Sequence, residues 1–449
     1  MANNFSYGLR NRTNRVFAAS TSNPTIDKPK ANEPFPGSTF VTDDGGSVTS
    51  FAGDVNPFQF SNRDDIVDLK LGKSVKTIGN SAFYSCDNLT GSLVIPDSVA
   101  TIGSDAFGYS DFTGSLTIPD NVRSIGSYAF YGCQEFTGPL IIGNGITNIN
   151  SGAFGYSSFT GSLTIPDSVT NIETRSFAYC YNFNGSLTIP NSVMSIGSYA
   201  FRQCSSLSGS LTIPNSVTSI GSYAFQQCSS LSGSLTISGT TSITSNSFSY
   251  CNFDGLNVTG TSINAGLFND TGGLFIGSLT IANTVTSIGS NAFNYCNGFT
   301  SLTLGSSVTS IGSYAFYNCS GFTGSLTIPN SVTSISYGAF RGCSGFTGSL
   351  TIPNSVTTVD NEAFIDCSGF TGSLTIPNSV TTIGNQAFEN CSNLTSMYVA
   401  TSASVFAAAN SYPPNLTQIY YEANAPGWTE PTWNDIPTAE WTSYPDPMP

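Results

Sequence analysis

Eleven cysteines are the residues of this chain with the most chemistry to offer. As thiolates they could attack a carbonyl, pair into disulfides or hold a metal, and each use demands particular neighbours. The 449 residues contain no histidine. That removes the Ser-His-Asp and Cys-His nucleophile systems, any imidazole base and any zinc site built on imidazole. A second group lies near the C-terminal end, where Trp428, Trp433 and Trp441 are interleaved with Glu430, Asp435 and Glu440. Tryptophan faces stack on pyranose rings and carboxylates accept hydroxyl hydrogen bonds, so these residues are a candidate aromatic platform for sugar. Paired carboxylates are also the minimum for glycoside hydrolysis, but the sequence shows no cleft to hold them, and no enzyme is expected.

The spacing of the cysteines points away from chemistry and toward architecture. Cys86, Cys133, Cys180, Cys204, Cys228, Cys251, Cys296, Cys319, Cys343, Cys367 and Cys391 all occupy one position of a repeat, with Ser110, Ser157 and Thr271 in the three repeats that lack the thiol. Adjacent rungs come near disulfide range. Parallel side chains pointing the same way are nevertheless poorly disposed for the required dihedral, and the count is odd. A ladder of free, buried thiols is expected, and such thiols leave the redox compartment open.

The elements that must position this ladder follow from a second register. Phe83, Phe107, Phe130, Phe154, Phe177, Phe201, Phe225, Phe248, Phe268, Phe293, Phe316, Phe340, Phe364 and Phe388 recur at spacings of 23 to 25 residues with one interval of 20, which makes fourteen repeats of mostly 23 to 24 residues. Residues 324 to 347 show the unit as G-S-L-T-I-P-N-S-V-T-S-I-S-Y-G-A-F-R-G-C-S-G-F-T. Leu326 and Ile328 flank Thr327, a period-two strand with its apolar side inward. Pro-Asn-Ser turns the chain, and Val332 and Ile335 bring apolar side chains back to the interior. Ala339 and Phe340 are expected on a short helical or 3₁₀ turn, with Cys343 and Phe346 completing about eight inward positions per repeat. One coil cannot bury its own face, so the coils must stack into an elongated core of about 65–70 Å at about 4.8 Å per strand, closed by caps.

The iterated L-T-I-P-N-S-V-T-S-I-G-S-Y-A-F-x-x-C resembles the leucine-rich repeats of the Bacteroides surface protein A type, over about residues 69 to 399. The resemblance implies a right-handed leucine-rich-repeat solenoid, mainly β, in a protein exposed at a surface and used for attachment. It identifies no ligand. The chain departs from the pattern near residues 252–277, which lack the Ile-Pro turn and the cysteine, so a bulge, a kink or a binding function is expected there.

The expected organisation is a docking or capping segment over 1–66, the solenoid over 67–400 and a Trp/Pro-rich cap over 401–449. Eight of the twenty-two prolines follow Thr401, which disfavours helix there. The first 76 residues hold nine basic and eight acidic side chains, whereas the remainder holds four basic and nineteen acidic ones and is therefore −15 of the total −14. Arg10, Arg12 and Arg15 are read either as a solvated tail or as a docking segment for an acidic partner surface. The acidic remainder excludes a nucleic-acid groove, which needs clustered Lys and Arg. No transmembrane run, phosphate loop or CxxC pair is present, and no cofactor, metal or membrane insertion is expected.

The tripeptide Ser-Leu-Thr recurs ten times, placing Thr117, Thr164, Thr188, Thr212, Thr236, Thr280, Thr303, Thr327, Thr351 and Thr375 on the outward strand face. Threonine is a good exposed strand residue, and duplication copies whatever stands there, so the ladder has a purely structural reading. Its functional readings are a shallow surface binding host glycan or protein, and water ordering on a regular array. The function classes carried forward are a surface or virion attachment protein, a structural decoration or spacer, and an ice-binding solenoid. The longest apolar run in the N-terminal flank is V-F-A-A, short of the 7–15 residues of a secretory signal, so a virion or extracellular surface reached by assembly on a parent particle is expected. Homo-oligomerisation is left open.

Overall fold

The computed structural model describes residues 38–43, 46–51, 54–63, 66–244, 246–268, 275–406, 412–428 and 432–441. Through most of that length the chain winds as a parallel β-solenoid whose coils have three sides. On the first side is the main strand. Leu116–Ile118 is buried, exposed, buried in turn, as its alternation requires, and it pairs in parallel with Leu140–Ile142. Proline then closes a four-residue turn: the N–H of Val332 donates to the Pro329 carbonyl at 3.0 Å, and Val99, Val169, Val217 and Val356 repeat the bond to their own prolines. The second side is a two-residue strand. Ser334–Ile335 pairs in register with Ser310–Ile311 before it and Thr358–Val359 after it, with each Ile or Val buried.

The third side differs from the helical or 3₁₀ turn expected of it. In the coil of Phe83, the N–H groups of Ser81, Phe83 and Ser85 donate forward to the carbonyls of Ser104, Ala106 and Gly108 at 2.7–2.8 Å. Between them, Ala82 and Tyr84 donate back three residues within their own coil, at 3.3 Å. Ser81 and Ser85 stand at φ 51°, and the residues two before and two after the phenylalanine are left-handed in coil after coil. Left-handed residues cannot continue a helix, and the forward bonds use the N–H groups a helix would need. Among the described residues one 3₁₀ turn occurs, Ala403–Phe406.

This turn aligns the core. Phe83 and Phe107 stack at 5.3 Å with planes 4° apart, and the file continues with the same offset geometry. A second aromatic file, including Phe112, Phe136, Phe159 and Phe183, meets the first edge to face, as in Phe107–Phe112 at 5.8 Å and 76°. The first file begins one coil earlier than the Ala-Phe register suggests. Phe60 is buried and stacks on Phe83 at 5.4 Å, so residues 54–63 form a fifteenth coil inside the expected N-terminal segment. Gln59 in place of the usual alanine hides this coil in the sequence.

Each end of the main sheet is extended by flanking chain. Gly46–Phe51 pairs antiparallel with Ser38–Asp43 and parallel with Ile66–Leu71. At the other end Gln418–Glu422 and Ile436–Trp441 add parallel strands after Leu394–Val399.

The irregular stretch interrupts the stack on two sides out of three. Asn252–Thr259 stays in register with both neighbouring main strands, through Leu235↔Leu256↔Leu279. Ser242–Ile243 and Ser262–Ile263 are instead edge strands of two separate sheets. The N–H of Asn264 bonds the Gly239 carbonyl at 2.9 Å, where regular coils use the preceding isoleucine, as Gly289 does with Ile263. The stacked phenylalanine file runs to Phe248 and resumes with Phe268 on Phe293. With regular pairing kept on one side of the three, this is a weakened joint in the array. In native-state amide exchange, residues 239–244 and 262–264 should exchange at least about tenfold faster than the matching positions of 193–221 and 287–312. Equal protection across all four stretches would contradict the weakened joint.

Candidate recognition surface

The cysteines were the first candidates for chemistry, and their surroundings suppress it. All eleven are free and buried. Each thiol donates to the carbonyl of the core phenylalanine one coil back at 3.0–3.2 Å, from Cys86 on Phe60 to Cys391 on Phe364. Ser110 and Ser157 make the same bond with their hydroxyls, to Phe83 at 2.6 Å and Phe130 at 2.9 Å. The position therefore selects a small donor, which explains why serine substitutes there. Burial away from water raises the thiol of Cys133 from 9.0 to about 12, and it raises Cys180, Cys251 and Cys391 likewise. A thiol held protonated is a poor nucleophile and a poor metal ligand. Among the described residues, no group of three or more Cys, Asp or Glu could hold a metal ion.

The outward strand face is where the sequence reading placed recognition. Thr117, Thr164, Thr188, Thr212, Thr303 and Thr327 are exposed, and Thr236, Thr280, Thr351 and Thr375 are half-buried; none is in the core. Register joins them into a column, with Thr164 opposite Thr188, Thr212 opposite Thr236, Thr280 opposite Thr303 and Thr351 opposite Thr375. The column also contains residues that the tripeptide missed. Ile141 pairs with Thr117, Asn257 stands between Thr236 and Thr280, and Tyr398 and Tyr420 follow Thr375. Val94 and Ile141, at the threonine position of S-L-V-I-P and P-L-I-I, are 69 % and 55 % exposed, so the position faces outward even when apolar. Aligning on the strand leucine instead of on Ser-Leu-Thr would have found both. Within the column, Asn257 Nδ2 donates to Thr236 Oγ1 at 3.4 Å.

The three tryptophans are gathered at the C-terminal end, packed against one another and the core. Trp428 and Trp433 are half-buried, 5.0 Å apart, and both meet Phe406 edge-on at 6.0 and 6.1 Å. The indole N–H of Trp428 donates to the Thr401 carbonyl at 2.9 Å. Trp441 is buried and lies 5.5 Å from Tyr398. Asp435 and Glu440 are exposed nearby, while Glu430 falls outside the described residues, as do Arg10, Arg12, Arg15 and Thr271.

On the turn side the structure shows a surface that the sequence reading passed over. Tyrosines beside the buried phenylalanines contact one another from coil to coil, including Tyr109–Tyr131 at 5.5 Å, Tyr156–Tyr179 at 4.1 Å and Tyr199–Tyr223 at 5.2 Å. Three of the four arginines after residue 76 lie over these rings: Arg175 on Tyr199, Arg202 on Tyr179 and Tyr199, and Arg341 on Tyr317, at 5.1–5.6 Å. Arg341 also pairs with Glu362. The repeated tyrosines at the two left-handed positions were the available signal. No described helix is long and apolar enough to cross a membrane.

A family model described as a BspA type leucine rich repeat region matches residues 54–184, 147–274, 261–395 and 322–425 in overlapping segments, with six copies of the repeat. No curated protein is matched. Among solved structures, the chain is similar to a leucine-rich repeat protein from Bacteroides ovatus at 19 % identity, covering 87 % of this chain and 100 % of that one with a TM-score of 0.46. It is also similar to a leucine rich cell surface protein from Faecalibacterium prausnitzii at 20 % identity, covering 86 % and 99 % with a TM-score of 0.27. The pneumococcal vaccine antigen PcpA matches at 17 % identity, over 86 % and 92 %, with a TM-score of 0.30.

The buried thiols generate a two-part expectation. Native protein should react poorly with a thiol reagent, and denatured protein should yield all eleven free thiols counted in the chain; mostly oxidised cysteines in the native state would contradict the ladder. The pH dependence has a definite sign. Because folding raises the thiol of Cys133 from 9.0 to about 12, its stabilising preference is complete below pH 9.0 and lost as pH climbs toward 12. Burial raises Cys180, Cys204, Cys228, Cys251, Cys319, Cys343, Cys367 and Cys391 in the same direction, so stability followed by circular dichroism should fall steeply above pH 9 and change little through thiol titration below it.

Proposed function

The chain belongs to the BspA-type leucine-rich repeat family, and from that premise we propose that it is a surface-exposed recognition protein without catalytic activity, which binds a host-surface glycan or protein through its main-strand face. The observation that carries this reading is the outward column itself. It runs in register across the array, is dominated by hydroxyls and contains no charged side chain from Val94 to Tyr420. A long neutral hydroxyl surface hydrogen-bonds polar partners without selecting for charge, and its repetition allows many weak contacts to add. Ile141, Asn257 and Tyr398 interrupt the threonine file, which favours contact with a partner over matching to a uniform water lattice.

We further propose that the protein is displayed on a particle or cell surface. The near-neutral N-terminal flank, with Arg10, Arg12 and Arg15, would face the parent structure and the acidic array would project from it. The charge asymmetry supports this orientation.

Changing Thr188, Thr212, Thr303 and Thr327 to lysine tests the reading, because all four are exposed and substitution there should cost little stability. Binding to host cells should drop at least about tenfold with the melting temperature unchanged. Unchanged binding would remove the strand face from the function and favour a spacer. Thermal hysteresis in the wild-type protein, lost in the variant, would replace recognition with ice binding.

A further inference from the structure

The sequence after and before three successive cysteines changes in a coordinated way. After the cysteine the residues are Tyr181, Ser205 and Ser229; before it they are Tyr179, Gln203 and Gln227, and the next coil places Tyr250 before Cys251. Serine also follows Cys319, Cys343, Cys367 and Cys391, so the distinctive residues here are Tyr181 and Tyr250, which stand at the two ends of a depression. The structure contains that depression as a groove of about 320 Å³ lined by Tyr181, Gln203, Ser205, Gln227, Ser229 and Tyr250. It lies on the turn side, away from the threonine column.

The polar groups of the groove are organised. The Tyr181 hydroxyl donates to Gln203 Oε1 at 3.0 Å, and Gln203 Nε2 donates to Gln227 Oε1. This relay runs one way along the groove and uses one of the two lone pairs on each glutamine oxygen, so both amides keep acceptor capacity. Tyr181 and Tyr250 are 47 % and 67 % exposed, so the rings at the two ends are open to a ligand. They belong to coils three steps apart, about 14 Å at the spacing of parallel strands. Gln203, Gln227 and Tyr250 hold φ of 59–61°, at a position where Gly132, Gly342, Asn318 and Asn390 stand in other coils. Ser85, Tyr295 and Asp366 hold the same left-handed position, so the turn accepts side chains of many sizes there.

No charged side chain lines the groove. The neighbouring Arg202 has its guanidinium over Tyr179 and Tyr199 instead. A site of this size lies at the small end of ligand pockets. Aromatic rings at both ends, amides and hydroxyls that both donate and accept along the floor, and no charge are the features that suit a ligand with C–H faces and many hydroxyls. We propose that this groove binds a short neutral oligosaccharide, with Tyr181 and Tyr250 contacting sugar rings and Gln203, Gln227, Ser205 and Ser229 bonding hydroxyls. The proposal stands independently of the strand-face reading.

Titration of the full chain with maltohexaose, cellohexaose and chitohexaose, followed by saturation-transfer NMR and calorimetry, tests it. At least one should bind saturably with Kd about 1 mM or tighter. The double variant Tyr181→Ala/Tyr250→Ala and, separately, Gln203→Ala/Gln227→Ala should each weaken that binding at least about tenfold at an unchanged melting temperature. The glutamine pair serves as the readout if the tyrosine pair disturbs folding. The variant with lysine at Thr188 and Thr212 should keep the affinity, which separates this site from the strand face. No binding of any of the three sugars at about 10 mM, equal binding by the groove variants, or tighter binding of a sulfated oligosaccharide than of the neutral ones would overturn the proposal.

Discussion

The structure depends on how each core phenylalanine is tied to the next coil. Its N–H reaches forward to an alanine carbonyl, as Phe83 does to Ala106 at 2.7 Å, and its own carbonyl accepts the thiol or hydroxyl that the next coil supplies. One bond is donated forward and the other is received back from the same following coil, so together they set the rise and the register. With the rise set, the phenylalanine rings stack at 5.1–5.6 Å and the leucines and isoleucines of the main strand fall into columns. The outward residues have no choice but to line up as well. Regularity on the surface is thus a consequence of polar satisfaction in the core, where a carbonyl without its second donor would carry a desolvation cost.

That division leaves the surface free to vary by coil. The threonine position accepts valine, isoleucine, asparagine and tyrosine without disturbing the buried Leu and Ile on either side, because side chains alternate across a strand. The turn side is constrained differently. Its left-handed positions carry glycine, asparagine, tyrosine, glutamine and arginine, and the last three have side chains long enough to touch the neighbouring coil. Local differences of two or three coils, as at Gln203 and Gln227, are therefore where a uniform array acquires a specific site. The joint near residues 239–264 is the other local difference, where the main sheet keeps regular pairing and the second side keeps only the bonds of Asn264 to Gly239 and Thr240.

Much of this was legible in the residue spacing. The 23–24-residue period, the L-T-I alternation and the single register of the cysteines demanded parallel coils with an apolar interior, and the free, buried thiols follow from that register. What spacing does not reveal is backbone handedness. Ala-Phe followed by a short polar stretch resembles a helical turn, and nothing in tyrosine, aspartate or arginine at the flanking positions announces φ near +60°. The earliest coil was missed because Gln59 replaces the alanine, although Phe60 keeps the spacing of 23 to Phe83. The tryptophans were visible as a cluster, but whether their faces pack or project depends on Phe406, Tyr398 and Thr401, which lie far enough back that pattern alone does not join them. The groove was invisible for the same reason: it depends on Tyr181 and Tyr250, three coils apart, standing over the serines usual at that repeat position.

The dependence of the array on the donor at the cysteine position is tested most directly by comparing Cys204→Ser with Cys204→Ala in equilibrium urea denaturation. The two substitutions remove the same sulfur and leave side chains of similar size, so their difference isolates a hydroxyl positioned to reach the Phe177 carbonyl that the thiol bonds at 3.1 Å. Cys204→Ser should be the more stable of the two by about 1–2 kcal/mol, as an unmade bond to a buried carbonyl requires. A Cys204→Ala protein as stable as Cys204→Ser, or more so, would contradict the role of that bond in holding the coils in register.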